Sequence, residues 1–303
     1  MVLTAFVFAV GLYTWSRIVE GRRKATDRLV TIVVTSAFLL ALALLISVLY
    51  TVIANGLARF DAMFFNYSMA GVVGAGGGAY HAILGTLIIT GLAAVMSIPI
   101  GVLTAIYLVE YGTGKLAKAI TFFVDVMTGI PSIVAGLFAV SLFTLILGPG
   151  VRFGFIGAVA LSVLMIPVVV RSTEEMLKIV PNELREASYA LGVPKWRTIV
   201  KVVLPTTIAG IATGITLAIA RVIGETAPLL ITVGLATSVN LNPFDGRMAT
   251  LPVFSYYSYA TPGIPREAFT DRAWTAALVL IIIVMALNLI ARLISRLFAP
   301  KSR

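Results

Sequence analysis

The chain has 303 residues, of which 59% are hydrophobic and 12% charged, and its mean hydropathy is +1.03. A water-soluble core could not bury that much apolar surface, so the composition excludes an ordinary soluble domain and predicts an all-α polytopic membrane protein. The absence of cysteine excludes disulfides, thiol nucleophiles and Cys-based metal sites, and a single histidine argues against other metal chemistry.

Several apolar stretches are candidate membrane spans, because about 20 apolar residues in a helix cross the hydrocarbon core of a bilayer. They are Val2–Ser16, Leu29–Ile53, Ile83–Val109, Ala119–Leu147, Phe155–Val170, Pro205–Val233 and Trp274–Phe298. The first is short, and a signal peptide is the alternative, but the stretch lacks a leading positive region and a small-residue cleavage site. We therefore expect residues 1–28 to form an extra N-terminal membrane helix with a basic segment, and residues 29–303 to form one membrane domain.

The lysines and arginines indicate the orientation of these spans. If the segment Glu20–Arg28 is cytoplasmic, most of the 23 basic residues fall on the cytoplasmic side, including those between Arg171 and Lys201. The positive-inside rule favours this orientation, which places the C-terminus in the cytoplasm. We expect the chain to lie in the plasma membrane. The net charge of +10 is then a topology signal, and no nucleic-acid-binding face is needed to explain it.

Two stretches outside the regular spans carry local structural signals. The outer loop Thr237–Arg272 contains LPVFSYYSYA, which is too short to cross the membrane. We expect a re-entrant or surface-lying helix, which is allowed at membrane depth only if protein covers its backbone. Within TFFVDVMTGIPSIVAG, Asp125 is an acid inside a span, and a hydrogen bond to another helix is the favoured interpretation. Gly129, Pro131 and Pro167 can kink or break helices.

The cytoplasmic loop at about 171–204 is predicted to contain two short helices, separated by Pro181 and by the turn Gly192-Val193-Pro194. The helix predicted at Glu183–Leu191 has Leu184, Ala187 and Leu191 on one face. Such a face can be buried in another protein; the alternative is a solvated loop whose helices lie on the ends of the chain's own spans.

The spacing in this loop resembles the EAA signature of ABC importer permeases. It comprises Glu186-Ala187-Ser188, three residues, Gly192, nine residues and Val202-Val203-Leu204-Pro205, with Ser188 in place of the second alanine and Val202 in place of isoleucine. The resemblance implies a type I importer core of six transmembrane helices, and a coupling helix that docks in a groove of a separate ATPase subunit. The chain contains no G-x-x-x-x-G-K-[ST] phosphate loop, so we expect a transport subunit and not an enzyme.

The segment IARVIGETAPLL places Arg221 and Glu225 four residues apart within the predicted span Pro205–Val233. On one helix these side chains can approach each other, and an arginine near mid-membrane costs at least about 2.5–3.5 kcal/mol unless it faces protein or water. A guanidinium also matches tetrahedral oxyanions. Two interpretations stay open: a substrate pathway, or an ion pair that fixes helix register or locks this subunit to a partner.

Arg171 is a weaker pathway candidate. It lies at the cytoplasmic end of the predicted span Phe155–Val170, where it can attract an anion at the exit. Interaction with the helix dipole or anchoring to lipid headgroups explains its position equally well.

Five segments together resemble the PstA-type permeases of phosphate importers: ARVIGETAPLL, VVVRSTEEML, TGIPSIVAGLF, AILGTLIIT and AIYLVEYG. The similarity extends over about Leu29–Phe298. The resemblance implies phosphate as substrate and three partners: a PstC-type permease, a PstB-type ATPase dimer and an external PstS-type phosphate-binding protein. It also implies that the chain has no cofactor of its own and that the partner ATPase binds ATP. Arg221 and Glu225 would line or gate the phosphate route.

Other functions remain as alternatives. A permease for sulfate, molybdate or another oxyanion has the same charge requirements. An ATP-independent channel or proton-coupled carrier would move substrate without any ATPase. An intramembrane enzyme has the least support, because we find no Ser-His pair, paired aspartates or metal-ligand constellation in the sequence.

Overall fold

A computed structural model describes residues 11 and 13–298, and side chains as far as Leu293. Most of the predicted span Val2–Ser16 lies outside the described residues, as do the last residues of the C-terminus, whose cytoplasmic location stays a prediction. The chain divides into two compact units, residues 1–55 and residues 56–303. All regular structure in the described residues is helical.

The helices follow one another in this order: α1 Arg22–Gly56, α2 Ala62–Asn66, α3 Tyr80–Ile106, α4 Gly114–Thr128, α5 Ser132–Leu147, α6 Gly154–Ile179, α7 Asn182–Ala190, α8 Lys195–Thr198, α9 Leu204–Val222, α10 Ala227–Thr232, α11 Leu251–Ala260 and α12 Arg266–Phe298. Short π-helical segments, Tyr107–Tyr111 and Ile199–Val203, follow α3 and precede α9. Five helices in the described part of the chain are long and apolar enough to span a membrane, or six spans if α4 and α5 count as one.

The predicted span Ala119–Leu147 is not one helix. It breaks between α4 and α5, whose axes differ by 109°. Pro131 causes the break locally, because it has no N–H to donate and disfavours helical geometry at the residue before it. Gly129 precedes it and adds backbone freedom. The sequence identified both residues as potential breakers but did not predict so sharp a bend.

The predicted span Pro205–Val233 is likewise interrupted. Helix α9 ends at Val222, residues 223–226 are non-helical, and α10 restarts with Pro228 in its first turn. Proline is favoured in a first turn, where its missing N–H would have no helical acceptor. The expectation that Arg221 and Glu225 share one continuous helix is therefore wrong, since the helix ends between them.

Helix α6 is longer than its predicted span, Phe155–Val170, and continues to Ile179. The cytoplasmic loop predicted to begin at Arg171 is therefore helical in its first part, and Arg171 lies within the helix and not at its end. The predicted end of this span was too early, because the charged side chains in RSTEEMLK end the apolar run but not the helix.

Helix α6 lies at the centre of the larger unit. Its most apolar window is 61% buried, compared with 22% for α3 and 28% for the span that includes α9. Helices α3 and α9 both approach it at glycines: a Cβ on Gly101 would lie 2.6 Å from Val169, and one on Gly214 would lie 2.6 Å from Ser172. Small residues let helix backbones approach closely, which is the usual packing solution inside membranes.

The short helix expected in the last outer loop is present as α11, Leu251–Ala260. It packs against α3 and α12, and the backbone N–H of Leu251 donates to Thr86 Oγ1 at 2.8 Å. Protein therefore covers the first turn of this helix, Leu251–Phe254, and satisfies its first backbone donor, whereas Tyr256 and Tyr259 are exposed.

Candidate functional site

A polar cavity of about 190 Å³ forms where the two helix interruptions meet α6. Its lining comes from the α4–α5 break, from Arg221 and Glu225 beside the α9–α10 break, and from the middle of α6. The lining residues are Met127, Thr128, Ile130, Ser132, Leu164, Pro167, Val168, Arg221 and Glu225. We call this space the Arg221–Glu225 cavity. Pro167 is at the midpoint of the 26 residues of α6, so the cavity lies about halfway along a membrane-spanning helix.

Arg221 and Glu225 line the same cavity without forming an ion pair. Within residues 11 and 13–298, Arg221 makes no hydrogen bond or ion pair, and neither does the side chain of Glu225. The structure therefore brings the two predicted pathway residues together, but it leaves the guanidinium free to bind another acceptor.

Two features of the cavity favour an anion, although the carboxylate of Glu225 opposes it. The guanidinium of Arg221 can donate to two oxygens of a planar or tetrahedral anion at once. Helix α5 begins at the cavity with Ser132, and the positive end of a helix dipole is at its N-terminus. Interrupted helices also leave backbone groups without helical partners, as at the binding sites of many membrane transporters.

Arg171 lies elsewhere and has carboxylate partners. Its guanidinium donates to Asp125 on α4 and, at 2.8 Å, to Glu174 on its own helix. Lys178 Nζ lies 2.7 Å from the other oxygen of Glu174. The helix–helix hydrogen bond favoured for Asp125 is confirmed, and its partner is Arg171. Arg171 does not line the Arg221–Glu225 cavity.

The loop at about 171–204, which we call the coupling loop, contains two short helices, α7 and α8, as the sequence predicted. Gly192 adopts a φ of +74° in the turn between them, a conformation that favours glycine. The hydroxyl of Ser188 is buried and hydrogen bonded to that of Thr198 at 2.8 Å. The serine in place of alanine therefore joins the two helices. Leu204 and Pro205 form the first turn of α9.

One face of α7, continued by the next residue Leu191, remains uncovered. Leu184 is 44% exposed, Leu191 is 83% exposed, and Glu186 and Ala187 are exposed with them. An apolar stripe with small residues at its centre, facing away from the chain's own core, is the geometry expected of a surface that a partner covers.

Sequence reasoning missed the buried anchor that holds α7 in place. Arg185 donates through Nε and Nη2 to Glu110 Oε1, at 3.1 and 2.9 Å, and to the backbone carbonyls of Val180 and Leu177. The two charged side chains are 12% and 5% exposed. The signal available in the sequence was an acid at the end of the span containing AIYLVEYG, but its partner is 75 residues away.

Comparison with protein families and known proteins gives one consistent result. Residues 97–303 match the family model described as a binding-protein-dependent transport system inner membrane component. The chain is 48% identical to phosphate transport system permease protein PstA 1 of Mycobacterium tuberculosis over 285 residues, which covers 93% of the chain and 92% of that protein. It is 37% identical to phosphate transport system permease protein PstA of Yersinia pestis, covering 93% of each.

Solved structures with a similar fold are permeases of ABC importers. The chain aligns with the inward-facing MetNI methionine ABC transporter at a TM-score of 0.56 and 21% identity, covering 73% of the chain and 94% of that structure. It aligns with a bacterial alginate ABC transporter at 0.58 and 15% identity, covering 89% and 98%. At these identities the similarity concerns the fold alone.

Proposed function

Because the chain belongs to the PstA family of phosphate transport permeases, we propose that the Arg221–Glu225 cavity is part of the phosphate route through the membrane. The family and the fold make the chain a permease subunit of a phosphate ABC importer, which has no ATPase site of its own. A permease of this class works with an ATPase and a substrate-binding protein.

The observation that carries this proposal is the unpaired guanidinium of Arg221 in a cavity halfway along α6. An arginine at that depth without an acceptor is costly, by at least about 2.5–3.5 kcal/mol on insertion scales. A phosphate ion supplies the missing acceptors and, as a tetrahedral oxyanion, accepts two parallel hydrogen bonds from one guanidinium.

Glu225 has a gating role in this proposal. Its carboxylate lines the same cavity, and it competes with phosphate for Arg221. Pairing of the two side chains would neutralise the charge of Arg221 and occupy part of its donors, which weakens anion binding, whereas their separation opens the site. The non-helical residues 223–226 between them provide the backbone freedom for such a change.

The coupling loop transmits the movement of the ATPase to this cavity. Its uncovered face, with Glu186, Ala187 and Leu191, docks on the ATPase, while Ser188 and Gly192 shape the turn behind it. Leu204 and Pro205 then begin α9, the helix that ends next to Arg221. ATP-driven closure of the partner subunits shifts this helix and reopens an outward-facing cavity toward the cytoplasm, which is alternating access.

Family membership supports a proposal for the remaining parts of the complex, and the positive-inside rule supports one for the C-terminus. The partners are a PstC-type permease subunit, a PstB-type ATPase dimer and an external PstS-type phosphate-binding protein. The chain binds no cofactor, because ATP occupies the partner ATPase subunits. The C-terminus lies in the cytoplasm. Arg171 has a lesser part in this route, near the cytoplasmic exit, where its partners Asp125 and Glu174 also join α4 to α6.

The test is ATP-dependent uptake of labelled phosphate into proteoliposomes that contain the full complex, comparing native chain with Arg221→Ala, Arg221→Lys and the exposed control Arg266→Ala. Loss of charge-assisted hydrogen bonds worth about 1.5–3 kcal/mol predicts a fall of about tenfold to a hundredfold for Arg221→Ala. Arg221→Lys should keep part of the uptake and Arg266→Ala nearly all of it.

Each other outcome has a defined meaning. Native uptake by Arg221→Ala would contradict the pathway role, and failure of that variant to assemble would support a structural ion pair or subunit contact. Uptake of sulfate or molybdate in place of phosphate would reassign the substrate. Uptake by the chain without any ATPase would indicate a channel or carrier.

A further inference from the structure

Two arginine side chains meet at Gly234, beyond the outer end of α10. Arg152 Cδ, Arg152 Nη1 and Arg247 Cδ each lie 3.6 Å from the position that a Cβ on Gly234 would occupy. Gly234 has a φ of +71°, so the position favours glycine and leaves this space open. The two side chains come from loops far apart in sequence and flank the same gap.

These two cations have no acidic partner. Both side chains are exposed, and among the described residues neither donates a hydrogen bond nor forms an ion pair. Asp245 is the nearest acid along the chain to Arg247, and its carboxylate is also unpaired. The side chains of Arg152 and Arg247 border the same gap, and an anion bound between two cations lowers their mutual repulsion.

Hydrogen bonds order the loop that carries Arg247. Asn240 Nδ2 donates to the backbone carbonyls of Asp245, at 2.7 Å, and Arg247, at 3.2 Å. The loop is fixed to the start of α6 by a hydrogen bond from Phe155 N–H to the carbonyl of Pro243, at 2.7 Å, which brings it next to Arg152. Ordered backbone therefore holds the two arginines next to each other.

The arginine pair and the Arg221–Glu225 cavity lie at different levels along α6. Leu164 of α6 lines the cavity, and Gly154 at the start of α6 packs against Pro243. The ten residues between them correspond to about 15 Å along the helix. Helix α10 covers part of the same distance, since its residues Leu229 and Thr232 pack on Gly157. The pair is thus on the outer side, in the predicted orientation, and the cavity lies below it.

We propose that Arg152 and Arg247 form an outer binding site for a tetrahedral oxyanion, which in this importer is phosphate, occupied before the ion reaches Arg221. This inference rests on the proposed function. Two guanidinium groups offer paired donors on two sides of the ion. Their exposure to solvent keeps binding weak enough for the ion to move on, as a transit site requires. A phospholipid headgroup has the same phosphate chemistry, so the test separates the two sources.

The first measurement is protection of individual arginines from phenylglyoxal, followed by peptide mass spectrometry on the full complex in vesicles of neutral lipid. Inorganic phosphate should slow modification of Arg152 and Arg247 severalfold, whereas chloride at equal ionic strength should not. Arg266, another exposed outer arginine, serves as the control and should react at the same rate throughout. Equal rates with and without phosphate would overturn the site, as would protection by anionic lipid but not by inorganic phosphate.

The second measurement is phosphate uptake by the Arg152→Gln/Arg247→Gln double variant at saturating phosphate-loaded binding protein. Loss of two charged donors should lower the uptake rate about tenfold or more, with assembly and basal ATP hydrolysis unchanged. Single Arg→Lys variants should have uptake rates between those of the native chain and the double variant, and Arg266→Gln should have the native rate. If the double variant instead weakens docking of the phosphate-free binding protein, the pair is a protein contact and the inference fails. If the native complex takes up phosphate and the double variant does so at the same rate, this outer site is refuted but the proposed function is not. If the native complex takes up no phosphate, the proposed function itself is refuted.

Discussion

Arg185 connects the coupling loop to the membrane helices. Its guanidinium donates hydrogen bonds to Glu110 and to the backbone carbonyls of Leu177 and Val180, whereas most other side chains of α7 are exposed. In the proposed function, a movement of α7 caused by the ATPase reaches Glu110 in the π-helical segment after α3, and α3 packs along α6. A buried ion pair adds little net stability, but removal of one partner is expensive, so this one is suited to fixing geometry.

We predict that Glu110→Gln uncouples ATP hydrolysis from transport. The isosteric amide keeps the shape of the site but removes a charged hydrogen-bond acceptor, a loss of about 1.5–3 kcal/mol. Phosphate uptake per ATP hydrolysed should fall about tenfold, since 1.4 kcal/mol corresponds to a factor of ten. The matched control is Glu183→Gln, an exposed acid on α7 with no ion-pair partner in the described structure. Identical uptake-to-hydrolysis ratios for the two variants would contradict this role, and a Glu110→Arg/Arg185→Glu exchange should restore part of the coupling.

At the level of helices, close packing around α6 depends on glycines that face it. Gly214 of α9 has no room for a side chain, because a Cβ would lie 2.6 Å from both Cβ and Oγ of Ser172. Gly91 of α3 has nothing within 4 Å of the same position. Both are glycines inside apolar helices, so the sequence pattern alone does not distinguish them.

These two glycines should respond to alanine with opposite signs. Gly91→Ala should raise the thermal unfolding midpoint of the purified chain in detergent, because alanine favours a helix over glycine by about 1 kcal/mol. Gly214→Ala should lower the midpoint, because forcing a methyl group into a packed interface costs about 1–3 kcal/mol. A stabilising effect at both positions would mean that α9 and α6 are less closely packed than the structure indicates.

The helices are also interrupted at residues 129–131 and 223–226, where the sequence predicted continuous spans. The sequence contained the residues that cause these breaks, but each apolar run was still long enough to cross a membrane, so it predicted continuous spans. Propensity establishes that a break is possible, whereas only the packing of these helices around α6 brings both breaks to one cavity that Pro167 also lines.

At the scale of the whole molecule, orientation in the membrane is the property on which the functional scheme depends. The cavity, the coupling loop and the outer arginine pair have their proposed roles only if the loop between α6 and α9 is cytoplasmic and the loop between α10 and α12 is external. The positive-inside rule supports this orientation. The natural absence of cysteine makes it directly testable, because a single introduced cysteine has no background.

We predict that Ile264→Cys, 91% exposed in the loop before α12, reacts with a membrane-impermeant maleimide in intact cells. Thr113→Cys, exposed between α3 and α4 beside the basic residue Lys115, should react only after the membrane is permeabilised. The reverse pattern would invert the topology and would place the coupling loop on the wrong side for an ATPase.

The sequence by itself determined the class of the protein, most of its spans, the two short helices of the coupling loop and the pair Arg221 and Glu225 as the main candidates for the route. These features follow from composition and from spacing over a few turns, which are local properties of the chain. Only the tertiary structure decided that Arg221 is unpaired in a cavity, that Arg185 meets Glu110 across 75 residues, and that Arg152 lies beside Arg247. Those contacts depend on how helices pack around α6, and no local pattern encodes which distant side chains that packing brings together.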